Sequence, residues 1–123
     1  MSRPRVLHFS DPGIFGAPQA DFPAPDRAIG KAPRRLTKEC HGAEGGALSM
    51  GEWECEPGAW KINFHPRRHE FFQVLRGRLQ IISESGDILD FAAGEAGVIP
   101  AGFRGEFHVL DYVHKRYVMF DAG

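Results

Sequence analysis

The sequence predicts an all-β domain closed into a barrel and preceded by an extended, proline-rich arm. Three observations predict it. From residue 34 onward, short runs of apolar, β-branched and aromatic residues are broken by glycine or proline about every eight to twelve residues, the rhythm of a sandwich or barrel. Several runs alternate with period two, as at Phe107 and Val109 and again at Tyr117 and Met119, so that one strand face turns inward. No segment sustains a helical stripe. The one ambiguous stretch, Phe71, Phe72, Leu75, Leu79 and Ile82, holds Gly77 at its centre and the β-branched pair Ile81 and Ile82, both unfavourable in a helix. Many short strands with no long edge are best satisfied by closure.

Taken in order, residues 1–33 hold six of the nine prolines. Proline lacks an amide donor and fixes φ, so this arm is expected to make no regular ladders beyond a short strand over 6–9. Its Ile14, Phe15 and Phe22 are more apolar than a free tail should expose, so the arm is expected to pack along the barrel or a partner subunit. Strands are predicted over 35–40, 47–54, 59–64, 70–75, 79–84, 88–91, 97–99, 105–110 and 115–120. Turns are placed at Glu56, Pro57 and Gly58, at Arg76, Gly77 and Arg78, at Ser85, Gly86 and Asp87, and at Pro100, Ala101 and Gly102.

A chain of 123 residues is long enough for one domain with a real core. The formal charge of −1 argues against nucleic acid or an anionic membrane as partner, since both select a basic excess. No apolar run approaches a membrane span, and the first residues lack the apolar stretch of a signal peptide, so a cytoplasmic location is expected. Cys40 and Cys55 are too few for a disulfide framework and read as free thiols.

Two blocks carry a spacing of their own. The first runs from Gly58 through Glu70 to Gly77, and the second contains Gly94, Pro100, Gly102 and Gly105. They resemble the two signature motifs of a cupin barrel, G-x5-H-x-H-x3-4-E-x6-G and G-x5-P-x-G-x2-H. In that pattern two alternating histidines, the glutamate and a later histidine hold a divalent metal. Here the histidine positions fall on Phe64, Pro66 and Gly105, and only Glu70 keeps a ligand type. His65 and His69 lie one residue out of phase, which turns them to the other strand face unless a bulge near Pro66 intervenes. With the segments 51–60, 70–77, 99–105 and 115–118, residues 34–120 resemble the cupin-3 group, small proteins related to the C-terminal domain of (S)-ureidoglycine aminohydrolase. The resemblance implies an RmlC-like jelly-roll barrel over 34–123, usually a homodimer. It implies no defined activity.

Without its histidines the motif is expected to hold no tight metal, and no other cofactor is expected. Glu70 is then the tentative catalytic group, a general acid or base or a ligand anchor with Lys115, Arg104 or a hydrated metal as partner; the alternative is a buried carboxylate that holds a loop. Trp53, Trp60, Phe64 and Phe107 either line a pocket or simply pack the core. Phe72 is placed beside Glu70. Trp60, Phe64, Phe72, Arg104, Phe107, Lys115 and Tyr117 form the candidate ligand-binding set. The basic run from His65 to His69 reads as a solvated hairpin loop, or else as an anion site. The function expected is binding of a small polar or anionic metabolite in the barrel mouth. Two rivals stay open. One is a small-molecule hydrolase or isomerase of the aminohydrolase type with Glu70 as general acid/base, and the other is a structural or regulatory dimer with a filled barrel.

Overall fold

The computed structural model describes residues 3–123. Among these residues nine strands form one curled antiparallel sheet: β1 (Gln19–Asp21), β2 (Ala28–Ile29), β3 (Arg35–Ala43), β4 (Leu48–Cys55), β5 (Gly58–Asn63), β6 (Arg68–Ser83), β7 (Ile88–Ala92), β8 (Ala96–Ile99) and β9 (Arg104–Asp121). The result is the all-β jelly roll that the sequence predicts. Among the described residues no helix is long and apolar enough to cross a membrane.

Two long strands organise the sheet. β6 and β9 pair along their length. On its other edge β9 carries β5 and β4 end to end, with Trp60 opposite Phe107 and Trp53 opposite Lys115. On its other edge β6 carries β8 and β7 in the same way. Each long strand is a single strand where the sequence predicts two short ones. The reversal expected at Arg76, Gly77 and Arg78 is instead a bulge, with register shifts from Val74 to Leu79. Gly77 has φ +86°, and a Cβ there would meet the Tyr112 carbonyl oxygen at 2.0 Å. The glycine therefore serves a close approach of two backbones, which locally resembles a turn signal. The signals at Gly86 and Gly102 do mark reversals, with φ of +95° and +75°.

The arm departs from expectation in a second way. Residues 6–9 form no strand; a turn and a short 3-10 helix, Pro12–Ile14, follow. Further on the arm does enter ladders: β1 pairs with β3 and β2 with β5. The prolines fall between these short strands, at Pro18, Pro23, Pro25 and Pro33, so no ladder amide is lost.

Alternation divides the interior. Phe72, Val74, Leu79 and Val113 are fully buried and form the core with Phe107, Val109 and Ile99. Burying Phe72 contributes roughly 2–3 kcal/mol relative to exposing it. Where β6 begins and β9 ends, the same inward positions become polar, with Arg68, Glu70, Lys115 and Tyr117 on the cavity wall. The site lies at that end.

Candidate functional site

Glu70 faces inward because it shares the parity of Phe72 and Val74 on β6. Lys115 shares the parity of Val113 and Tyr117 on β9 and stands opposite Val74. Its side chain runs along β6 past Phe72 to Glu70, where Nζ donates a 2.7 Å hydrogen bond to Oε2. Both residues are almost fully buried, at 5 % and 4 % exposure. The ammonium also lies over three aromatic faces, 4.5 Å from the Trp53 centroid, 4.9 Å from Phe72 and 5.0 Å from Phe107. An ion taken out of water costs several kcal/mol unless close partners offset the loss, and here a carboxylate and three π faces do so. The other Glu70 oxygen makes no side-chain hydrogen bond among the described residues.

Above this pair opens a cavity of about 720 Å³, so the barrel is not filled at its mouth. Two arginines also stand on its wall, each forked to a carboxylate. Arg35 donates twice to Asp21, at 2.8 Å each, and lies 5.1 Å over the Trp60 ring. Arg68 donates to Asp121 at 2.8 and 3.0 Å. That fork holds the Asp121 carboxyl below its usual range. Trp60 stacks on Phe107 at 4.9 Å. Tyr117 lies 3.2 Å from the Ser49 hydroxyl, which donates to Glu39; burial raises the Tyr117 phenol. Asp21, Phe22, Pro23 and Ala24 of the arm close one side.

The structure brings Trp60, Phe64, Glu70, Phe107, Lys115 and Tyr117 to this cavity. Phe72 does not line the cavity but lies beneath it in the packed core, where its ring meets the Lys115 ammonium. Arg104 is exposed and lines a shallow depression with Ser83 and Ser85 instead. Of the run from His65 to His69, His65 reaches the cavity mouth and Arg68 turns inward as the first residue of β6, whereas His69 stays on the outer face opposite Phe120. Arg68 shares the parity of Glu70 on β6 and so departs from a solvated loop. Thr37 and Arg35 alternate on β3 in the same way. Phe22 signals that the arm packs but not where, because the place of the arm residues depends on pairing with β3 and β5.

The positions that hold metal in histidine-ligated cupins do not form a ligand set here. Phe64 and Pro66 offer no ligating atom. A Cβ at Gly105 would lie 2.1 Å from the Ile82 carbonyl oxygen, so no imidazole could be rooted there without moving the backbone. Among the described residues no three His, Cys, Asp or Glu side chains gather as metal ligands. Glu70 faces an ammonium.

The model of the EutQ-like cupin domain matches residues 42–117. The chain belongs to this cupin family. No curated protein matches the sequence. Among solved structures, a protein of unknown function from Pseudomonas syringae pv. tomato superposes with TM-score 0.74 at 20 % identity, over 86 % of this chain and 45 % of that one. This chain thus spans less than half of that protein. The Clostridium difficile EutQ protein aligns at 26 % identity with TM-score 0.62, over 73 % of this chain and 70 % of that one. A putative ethanolamine utilization protein Q from Salmonella typhimurium LT2 gives 20 % identity and TM-score 0.64, over 88 % of this chain and all of that one. The fold is shared across the family while the ligand positions of the metal motif are not filled here.

Proposed function

We propose that the barrel mouth binds a small polar metabolite bearing an anionic group, without a tightly held metal. One observation carries this reading: a buried Lys115–Glu70 pair at the base of a cavity of metabolite size. Apolar residues of similar volume would close this space at lower cost in desolvation, so an ion pair at the base of an open cavity favours recognition over packing. Arg35 and Arg68 are already oriented by their carboxylates, which lowers the entropy lost when a ligand carboxylate or phosphate engages them. Ile62 and Phe64, half-buried on the cavity lining, offer apolar surface to the rest of the ligand.

Calorimetric titration with a panel of small mono- and dicarboxylates and phosphate esters tests the reading. At least one compound is expected to bind saturably, with affinity about tenfold weaker for Arg68→Gln, the loss of one charge-assisted hydrogen bond. If every compound gives only heats of dilution, the proposal fails. A second reading, hydrolysis or isomerisation with Glu70 as general acid/base, draws on the unengaged Glu70 oxygen. Under it Glu70→Gln binds the ligand but turns nothing over.

A homodimer in the cytoplasm completes the proposal. One row of the outer sheet face, Met50, Val118, Phe71 and Val98 across β4, β9, β6 and β8, supports the dimer, because Phe71 and Val98 are 48 % and 66 % exposed. Light scattering that returns the monomer mass would remove it.

A further inference from the structure

We infer that Lys115 is a built-in cation, standing in the place that a divalent metal takes in histidine-ligated cupins. Glu70 occupies the position of the motif's ligating carboxylate, and its Oε2 is held by Lys115 Nζ at 2.7 Å. A divalent metal bound through Oε2 would sit at about 2.0–2.2 Å from that oxygen, directly against the ammonium, and one bound through the other oxygen would face it across a single carboxyl group. Two cations in one desolvated space repel each other, and the missing imidazoles leave nothing to offset that cost.

The rest of the surroundings discriminate in the same direction. Trp53, Phe72 and Phe107 present π faces to the charge at 4.5–5.0 Å. Such faces attract an ammonium but offer no lone pair to a metal, which needs N, O or S donors. The cage therefore suits an alkylammonium ion and does not suit a metal. Because the cation is covalently part of β9, the positive charge at the base of the barrel cannot be chelated or exchanged. This holds whether or not the cavity takes a ligand.

The slot makes its own test. Lys115→Ala leaves Glu70 without a partner inside an aromatic-walled channel shaped for an alkylammonium chain. Its melting temperature is expected to fall by more than ~10 °C, and n-propylammonium chloride is expected to restore at least half of the loss. Sodium chloride at equal ionic strength should restore little. The double variant Lys115→Ala, Glu70→Gln should not respond to n-propylammonium. In parallel, wild-type protein incubated with manganese, nickel or zinc and then desalted is expected to retain less than a tenth of an equivalent by elemental analysis. The Lys115 15N resonance should keep its ammonium character with excess metal present. Stoichiometric metal in the wild type, or no difference between n-propylammonium and sodium, would overturn the inference. If Lys115→Ala does not fold, the metal content and the nitrogen resonance of the wild type decide.

Discussion

Removing one partner of the Glu70–Lys115 pair should cost far more than removing both. The two side chains are 6 % and 5 % exposed and 2.7 Å apart, so solvent screens them little. Lys115→Met leaves a buried carboxylate beside apolar rings, and Glu70→Leu leaves an ammonium with π faces alone. For buried pairs, breaking one side typically costs about 3–5 kcal/mol. In a chain of this length each kcal/mol lowers the melting temperature by about 4 °C, so each single variant should melt about 12–20 °C below wild type. Lysine suffers less than glutamate when orphaned here, because the cage of Trp53, Phe72 and Phe107 remains; Glu70→Leu should be the milder of the two. The double variant Glu70→Leu, Lys115→Met should return to within about 1 kcal/mol of wild type or exceed it, as neither desolvation cost is then incurred. Urea unfolding followed by circular dichroism at neutral pH measures all four corners of the cycle. Single variants that cost less than about 1 kcal/mol would refute the reasoning, for they would mean that cavity water solvates the pair.

Three further predictions follow from particular contacts. Gly105→His should not create a metal site: its Cβ would meet the Ile82 carbonyl oxygen, stability should drop by about 1–3 kcal/mol, and nickel should leave the urea midpoint unmoved. Burial pushes the Cys55 thiol up to about 12, so at pH 8 only about one molecule in 10,000 carries the thiolate; an aromatic disulfide reagent should label Cys40 in the native protein and reach Cys55 only after unfolding. Arg68 holds Asp121 below the ordinary carboxyl value of 3.8. The folded state therefore binds this proton less readily than the unfolded one. Its contribution to stability is complete above that ordinary value and is lost as pH falls through the lower folded one. A carbon NMR titration should show Asp121 returning upward in Arg68→Gln, and no movement would remove the assigned role of the guanidinium.

The barrel was legible because its determinants are local and repetitive. Period-two alternation at Phe107, Val109, Tyr117 and Met119 places side chains on one face wherever the strand runs, and the inward set of β9 matches it. The glycines at 86 and 102 mark turns through their own φ. Gly77 misled for a physical reason. A glycine that admits a neighbouring backbone and a glycine that turns the chain use the same missing Cβ, and only the Tyr112 carbonyl 2.0 Å from the missing atom distinguishes them.

By itself the sequence determined the all-β class, the strand faces, the empty ligand positions at Phe64, Pro66 and Gly105, and the inward aim of Glu70. Each depends on a residue's type and its spacing along one strand. The tertiary structure alone decided that Lys115, rather than Arg104, partners Glu70, that Arg68 and Arg35 stand inside the mouth, and that the arm forms one of its walls. Those facts depend on register between strands 45 residues apart in the chain and on a proline-rich segment whose ladders exist only against β3 and β5. A pattern within a strand repeats every two residues and can be read locally. Which strands lie together is set by burial and backbone pairing across the whole sheet.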